Sequence, residues 1–237
     1  MYSFTPIGRI RSCFRERFGT PRQPGLAPDA RAVLDLFPPA DKNETIRGLD
    51  VFSHIWLIFV FHDTMKYGWR PTVRPPRMGG NRRTGVFATR SNYRPNPLGL
   101  SAVRLNGIRR DAGGLHLDLS DIDILDGTPV LDIKPCLPWT DNPKNVRAAF
   151  AAPEATLSVS FSARAEAALL QHPEGGRFRR LIIQVLGMDP RPAYRRDSHD
   201  PDRRHGIRLM DRDVRFQVTE SQTAEVTDLL PLPDKGT

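Results

Sequence analysis

The chain has 237 residues, enough for one large domain or two small ones and for a core that needs no disulfide or metal staple. With 39% hydrophobic and 26% charged residues it is not a disordered chain, and 22 prolines argue against a helix bundle and for strands and turns. The +8 charge is carried by 30 Arg and only 5 Lys, and it is local: Thr64 to Arg110 holds ten Arg, one Lys and no acid, so that stretch carries +11 and the rest −3, which makes nucleic acid the leading partner.

Phe4 to Ser12 reads as a first strand, followed by a Pro/Gly/Arg loop from Arg15 to Leu26. Val51 to Phe61 is nearly all apolar, rich in β-branched and aromatic residues and without a polar stripe, which predicts a strand buried on both faces. Gly68 to Arg83 is a long Pro-containing loop, and Gly85 to Ala88 a short strand. Arg94-Pro95-Asn96-Pro97-Leu98-Gly99 fits neither a helix interior nor a central strand. Ser101 to Ile108 and Leu115 to Leu119 flank the turn Asp111-Ala112-Gly113-Gly114 and form a hairpin. A turn at Asp126-Gly127 leads into a strand from Val130 to Lys134. Many short strands with regular turns suggest a barrel or sandwich.

Pro138 to Pro153 is polar and turn-rich, as a linker would be. Beyond it come a strand (Thr156 to Phe161), a short helix (Ala163 to Leu170) and an amphipathic helix (Arg177 to Leu186) with Phe178, Leu181, Ile182 and Val185 on one face. Gly206 to Met210 and Val214 to Thr219 form a last hairpin. The expected organisation is a β-barrel domain over residues 1–140, a linker over 141–155, a small α+β domain over 156–220 and a loose Pro-rich tail over 221–237.

Several chemistries lack support. Cys13 and Cys136 form no CxxC, and the six His show no zinc-ligand spacing, so no metal is expected. No apolar run reaches membrane-spanning length and no leader pattern stands at the start, so a cytoplasmic protein is expected. There is no P-loop and no GxGxxG, which disfavours a Rossmann-type nucleotide site.

Three segments carry candidate chemistry. In Arg90 to Gly99, prolines stiffen a loop whose Arg and Asn side chains supply donors; the plainer reading is a surface turn. In Leu125 to Pro135 a DG turn closes a run of six Asp from Asp111 to Asp132 that could orient the arginines or accept from hydroxyls or an amine; the plainer reading is a hairpin with solvated acids. In Asp189 to Arg196, Arg interleaves with Tyr194, as suits a stacked base beside a phosphate; the plainer reading is a helix-terminating loop. His62 and Asp63 end the apolar strand, where polar residues can line a site. From charge alone the sequence favours a non-catalytic RNA-binding module.

In order along the chain stand Pro21-Arg22-Gln23-Pro24-Gly25, Phe52-Ser53-His54-Ile55-Trp56, Phe59-Val60-Phe61-His62, Trp69 to Arg77, Gly85 to Ser91, Arg94 to Gly99, Asp126-Gly127-Thr128-Pro129-Val130, and Asp189 to Tyr194. This ordered set resembles the TrmO (TsaA-like, YaeB) family. The resemblance implies a mainly β fold: a closed, non-Rossmann barrel that binds S-adenosylmethionine, with a small C-terminal α+β domain. It implies methyl transfer to N6 of the threonylcarbamoylated adenosine beside the anticodon of threonine tRNA, by a homodimer. It places cofactor contacts at Gln23, Pro24, Gly25, His62, Asp63, Arg90, Leu100, Gly127, Thr128, Pro129 and Val130. The target nitrogen must lose a proton, and Asp126 is the candidate to accept it or to orient the amide. Arg74, Arg77, Arg94, Asn96, Asp189, Arg191, Tyr194 and Arg195 are the candidates to grip the anticodon stem-loop. The alternatives are the RNA-binding module and a methyltransferase of this fold acting on another RNA or a small molecule.

Overall fold

The computed structural model describes residues 2–75, 83–142, 144–147, 156–191 and 203–233. Six antiparallel strands close a barrel: β1 (Gly8–Ser12), β2 (Arg31–Leu36), β3 (His54–Val60), β6 (Leu98–Asp111), β7 (Gly114–Ser120) and β8 (Pro129–Pro135), in the order β1-β2-β7-β6-β3-β8. Closure leaves no open sheet edge. Two short strands, β4 (Thr72–Val73) and β5 (Thr84–Gly85), pair outside the barrel. A single helical turn, α1 (Pro138–Asp141), follows β8.

The interior is filled by alternate residues of each strand. Ile10, Leu34, Ile55, Leu57, Val103, Leu117 and Val130 are fully buried. β3 differs from expectation here. Ile55, Leu57 and Phe59 face inward, while His54, Trp56, Ile58 and Val60 are only half-buried. Its outward face is apolar without being a second core, so an apolar run hid an ordinary alternation. The strand expected at Gly85 to Ala88 is instead a 3-10 turn over Val86–Ala88.

The C-terminal part packs β9 (Ser158–Phe161), β10 (His205–Leu209), β11 (Arg212–Val218) and β12 (Thr223–Pro231) into a sheet of order β10-β11-β12-β9. Helices α2 (Ala163–Gln171) and α3 (Gly175–Gly187) cover it. Ser162 caps α2 by accepting from the Ala165 N–H at 3.2 Å. The expected loose tail is a correction. Residues 223–231 form the central strand β12, with Ala224, Val226 and Leu229 buried. Alternation, not the prolines that follow it, governs this segment.

The two parts are tied together directly. Phe14 bridges to Leu209, the Met210 N–H donates to the Cys13 carbonyl at 2.7 Å, and the Asp29 carboxylate accepts from Arg180 and Gln184 of α3 at 2.9 and 2.7 Å. The Arg180 bond holds the Asp29 pKa below the usual carboxylate value near 3.8. A lowered carboxylate stabilises the fold fully above its unfolded pKa, and the gain is lost as pH falls through the folded value. Below about pH 3.8 the wild type should therefore lose stability more steeply than Asp29→Asn, measured as urea midpoints over an acid series.

Candidate active site

β3 runs antiparallel to both β6 and β8, so its C-terminal end meets the beginnings of those two strands at one end of the barrel. A cavity of about 1190 Å³ opens there. It is walled by the ends of these strands, by the loop around Thr20 to Gln23, by Thr89 to Arg94, and by Asp123 to Leu125 with Thr128. Its volume exceeds the range of roughly 300–1,000 Å³ usual for a single small-molecule pocket, so it has room for a cofactor beside a target nucleoside.

The floor is apolar. Phe59 pairs across the sheet with Gly99, and a Cβ at Gly99 would run into the Phe59 ring. The glycine of the Pro-Leu-Gly motif is thus a steric requirement: it lets the ring lie against the backbone of β6. Phe61 meets Phe59 edge to face at 5.2 Å. The Phe61 N–H donates to the Pro97 carbonyl at 2.7 Å, which joins the Arg94 to Gly99 loop to the end of β3.

The arginine-rich loop is held by its own side chains. Thr89 Oγ1 donates to the Val86 carbonyl at 2.8 Å and accepts from the Ser91 N–H at 3.2 Å. Arg94 Nη1 donates to the Thr89 and Val86 carbonyls at 2.8 and 3.2 Å, and its guanidinium lies over the Phe87 ring. Arg70 lies over Tyr93 at 4.6 Å. Both bonds come from one nitrogen, so what lysine cannot reproduce is the planar guanidinium lying over Phe87 while that nitrogen holds the two carbonyls. Arg94→Lys should therefore lower activity at this cavity by roughly tenfold while leaving the melting temperature nearly unchanged, since the loop lies outside the core; activity within twofold of wild type would show that the planar guanidinium does not order the loop.

Seven arginines line the cavity (Arg17, Arg22, Arg70, Arg74, Arg83, Arg90 and Arg94) against two acids, Asp63 and Asp123. Arg17 pairs with Asp63 at 2.9 Å. The +11 segment is therefore two populations. Its described loop arginines, Arg70, Arg74, Arg83, Arg90 and Arg94, line the cavity, whereas Arg104 and Arg109 of β6 pair with Asp121, Asp118 and Asp111. The acids that look like one run in sequence are divided in the same way.

Of the expected cofactor residues, Gln23, His62, Asp63, Arg90, Leu100 and Thr128 line the cavity together. Gln23 Oε1 accepts from Arg90 Nη1, and His62 Nδ1 sits 3.4 Å from Thr128 Oγ1. Pro24, Gly25, Gly127, Pro129 and Val130 do not line the cavity. Gly25 and Gly127 adopt positive φ (78° and 80°), a conformation that favours glycine. The Gly25 N–H donates to the Asp121 carbonyl at 3.1 Å and the Gly127 N–H to the Ile10 carbonyl at 2.8 Å, so both turns are fixed to the barrel. Val130 is buried in the core.

Asp126 does not line the cavity. Its carboxylate accepts from the Ser12 N–H at 2.9 Å and from Arg15 at 2.5 Å, which pins the acidic loop to β1. Of the acids in this loop it is Asp123 that lines the cavity, a residue the sequence reading does not single out. Its carboxylate accepts from the Ser101 hydroxyl at 2.5 Å, and burial pushes its pKa up to about 6.

Among the expected tRNA residues, Arg74 and Arg94 line the cavity, and Asn96 is exposed beside it. Asp189 and Arg191 form a buried two-bond pair, Nε to Oδ1 at 2.8 Å and Nη2 to Oδ2 at 3.0 Å, at the end of α3. Arg77, Tyr194 and Arg195 lie outside the described residues. Two exposed aromatics, Trp69 (55% exposed) and Phe87 (77% exposed), stand in the loops that carry the cavity arginines, without lining the cavity themselves. Their signal in the sequence is the alternation of aromatic and arginine. Among the described residues no group of three or more His, Cys, Asp or Glu could hold a metal ion, and no helix is long and apolar enough to cross a membrane.

Comparison with known proteins bears on this barrel and cavity. Residues 9–142 match the tRNA-methyltransferase O N-terminal domain, and residues 154–232 match the TrmO C-terminal domain. The chain belongs to the TrmO family. It is 46% identical to a tRNA (adenine(37)-N6)-methyltransferase of Escherichia coli strain K12, over 93% of this chain and 94% of the relative. It is 48% identical to a putative S-adenosylmethionine-dependent methyltransferase, RcsF, of Pseudomonas aeruginosa, over 96% of this chain and 97% of that one. The crystal structure of TrmO from P. aeruginosa superposes with a TM-score of 0.78 at 43% identity, covering 98% of both chains. A TrmO barrel is thus built without the GxGxxG whose absence weighed against an ordinary nucleotide fold.

Proposed function

We propose that the chain is an S-adenosylmethionine-dependent methyltransferase acting on N6 of adenosine 37 in tRNA, and that its substrate is the threonylcarbamoylated adenosine of threonine tRNA. The observation that carries this reading is the arginine-lined cavity of about 1190 Å³ at one end of a TrmO-family barrel. The cavity fits the cofactor chemically. Arg90 and Gln23 offer donors for a carboxylate, Phe59, Phe61 and Leu100 offer apolar surface for an adenosine, and His62 and Thr128 offer polar atoms for ribose hydroxyls.

When bound, S-adenosylmethionine supplies an electrophilic methyl group on a sulfonium. The protein's own part is to hold the reactants in line and dry. Phe59, Phe61 and the buried strand ends exclude water from the floor. Asp126, fixed by Arg15 and the Ser12 N–H, orients the acidic loop; it acts through position and not as a proton acceptor. Arg74, Arg94 and Asn96 meet phosphates of the anticodon stem-loop, and Trp69 and Phe87 offer faces on which unpaired bases stack. The Asp189–Arg191 pair fixes the chain at the end of α3, just before the arginine- and tyrosine-bearing segment. We place the protein in the cytoplasm as a homodimer.

Nucleoside mass spectrometry tests the substrate. Deleting the gene should remove the N6-methylated threonylcarbamoyl nucleoside from threonine tRNA, and the purified protein should restore it. Equal methylation of tRNA that lacks the threonylcarbamoyl group would overturn the substrate assignment and leave the reaction class intact.

A further inference from the structure

The cavity is rich in positive charge, yet one of its walls carries a carboxylate that forms no ion pair among the described residues, although the charge of Arg90 reaches it. Asp123 lies in the loop between β7 and β8, next to fully buried Ile122 and Ile124, which anchor the loop in the core. Among the described residues its side-chain hydrogen-bond partner is the neutral Ser101 hydroxyl at 2.5 Å, on the inward face of β6. Among the described residues it forms no ion pair, unlike its sequence neighbours Asp121 (with Arg104) and Asp126 (with Arg15). Keeping a half-buried acid without a cation is costly unless something compensates when the site is filled.

We propose that Asp123 is the counter-charge for the cationic part of the cofactor and makes the cavity select charged over neutral adenosyl ligands. The proposal rests on the S-adenosylmethionine reading of this cavity. Its chemistry follows from position. Asp123 shares the cavity wall with Leu100, Ser101 and Thr128, while Arg90 and Gln23 form the anionic subsite nearby. The charge of Arg90 reaches Asp123, so a zwitterionic ligand with its carboxylate at Arg90 brings its positive charge into the neighbourhood of the Asp123 carboxylate. An ammonium or a sulfonium would serve equally as the cation.

The inference also predicts proton linkage. The charged and titratable groups that share the cavity lining with Asp123 are Arg17, Arg22, His62, Asp63, Arg70, Arg74, Arg83, Arg90, Tyr93 and Arg94; the charge of Arg90 acts on it, and Asp63 is already paired with Arg17. With its pKa pushed up to about 6 by burial, Asp123 holds a proton part of the time near that pH. A bound cation favours the ionised form, so binding near pH 6 releases part of a proton, and the release fades as pH rises to 7.

Isothermal titration at neutral pH provides the test, with the full-length protein and three ligands. Asp123→Asn keeps the shape and the Ser101 contact. It should weaken S-adenosylmethionine by roughly 10–100-fold. It should leave 5′-methylthioadenosine, which has neither charge, within about twofold. S-Adenosylhomocysteine keeps the ammonium but lacks the sulfonium charge: a parallel loss assigns the ammonium, and no loss assigns the sulfonium. Unchanged S-adenosylmethionine affinity, or an equal loss for all three ligands, overturns the proposal. If the variant does not fold, proton release decides. Wild type and His62→Gln should both release protons near pH 6, and absence of release from either overturns it. Failure of the wild type to bind S-adenosylmethionine at all would instead sink the cofactor reading itself.

Discussion

Phe14→Ala should cost about 3–5 kcal/mol of stability, the range for truncating a fully buried aromatic. Phe14 is 0% exposed and sits where three elements meet. It follows β1, bridges to Leu209 of β10, and its carbonyl accepts from the Asp126 N–H at 2.9 Å. The neighbouring Arg15 N–H donates to the Arg208 carbonyl at 3.3 Å, so backbone bonds flank the ring on both sides. The surrounding strands cannot collapse onto the space the ring leaves, because each is held in a separate sheet. The cavity cost therefore adds to the lost burial. Chemical denaturation measures the total, and a loss under about 1 kcal/mol would show that the seam relaxes. Phe14→Leu should recover most of the stability. Because Asp126 and the cavity loop hang from the same point, the alanine variant should also bind the cofactor more weakly, even at temperatures where it remains folded.

The seam shows what local pattern can and cannot reveal. The hairpin of β6 and β7 is legible because Leu115, Leu117 and Leu119 alternate and a double glycine marks the turn; α3 is legible because four apolar residues fall on one face. β2 is not, although Ala32, Leu34 and Leu36 do alternate. Six residues between two Pro-rich loops give too short a pattern to stand out. β12 was lost for a related reason: Pro231 and Pro233 dominate the composition at the end of the chain, while the buried residues that decide the structure precede them. At the site, the loops rich in Pro and Arg are visible because prolines and glycines there have no other use. Which aspartate points into the cavity is not visible. In Asp121-Ile122-Asp123-Ile124-Leu125-Asp126, alternation would assign Asp121 and Asp123 to one face. Asp121 instead adopts a positive φ of 60° and pairs with Arg104, so the loop turns and only Asp123 reaches the cavity. Periodicity speaks for strands and helices; in a loop, backbone geometry decides, and that depends on contacts far away in sequence.

Arg90→Ala should weaken S-adenosylmethionine binding by roughly 10–100-fold, the value expected for losing charge-assisted bonds to a carboxylate. Arg90 reaches the cavity from a loop whose turn is closed by Thr89, and Gln23 from another loop steadies its guanidinium. Arg90→Lys should not restore binding, because an ammonium offers no planar fork to share between Gln23 and a ligand. Gln23→Ala should cost less alone and little more when added to Arg90→Ala, since the two side chains act as a unit. A fully additive double mutant would show that they bind independently. The charge of Arg90 has a second effect. It lowers the Asp123 pKa, opposing the burial that raises it to about 6. Removing that charge must raise the Asp123 pKa further. If the ionised carboxylate is what meets the cofactor's cation, the acid limb of the binding curve should move to higher pH in Arg90→Ala, while Gln23→Ala leaves it in place. Calorimetric titrations at a series of pH values separate the two contributions: the loss of donors lowers affinity at every pH, and the altered ionisation moves the midpoint. An unmoved midpoint would mean that Arg90 and Asp123 lie too far apart in the bound state to sense one another.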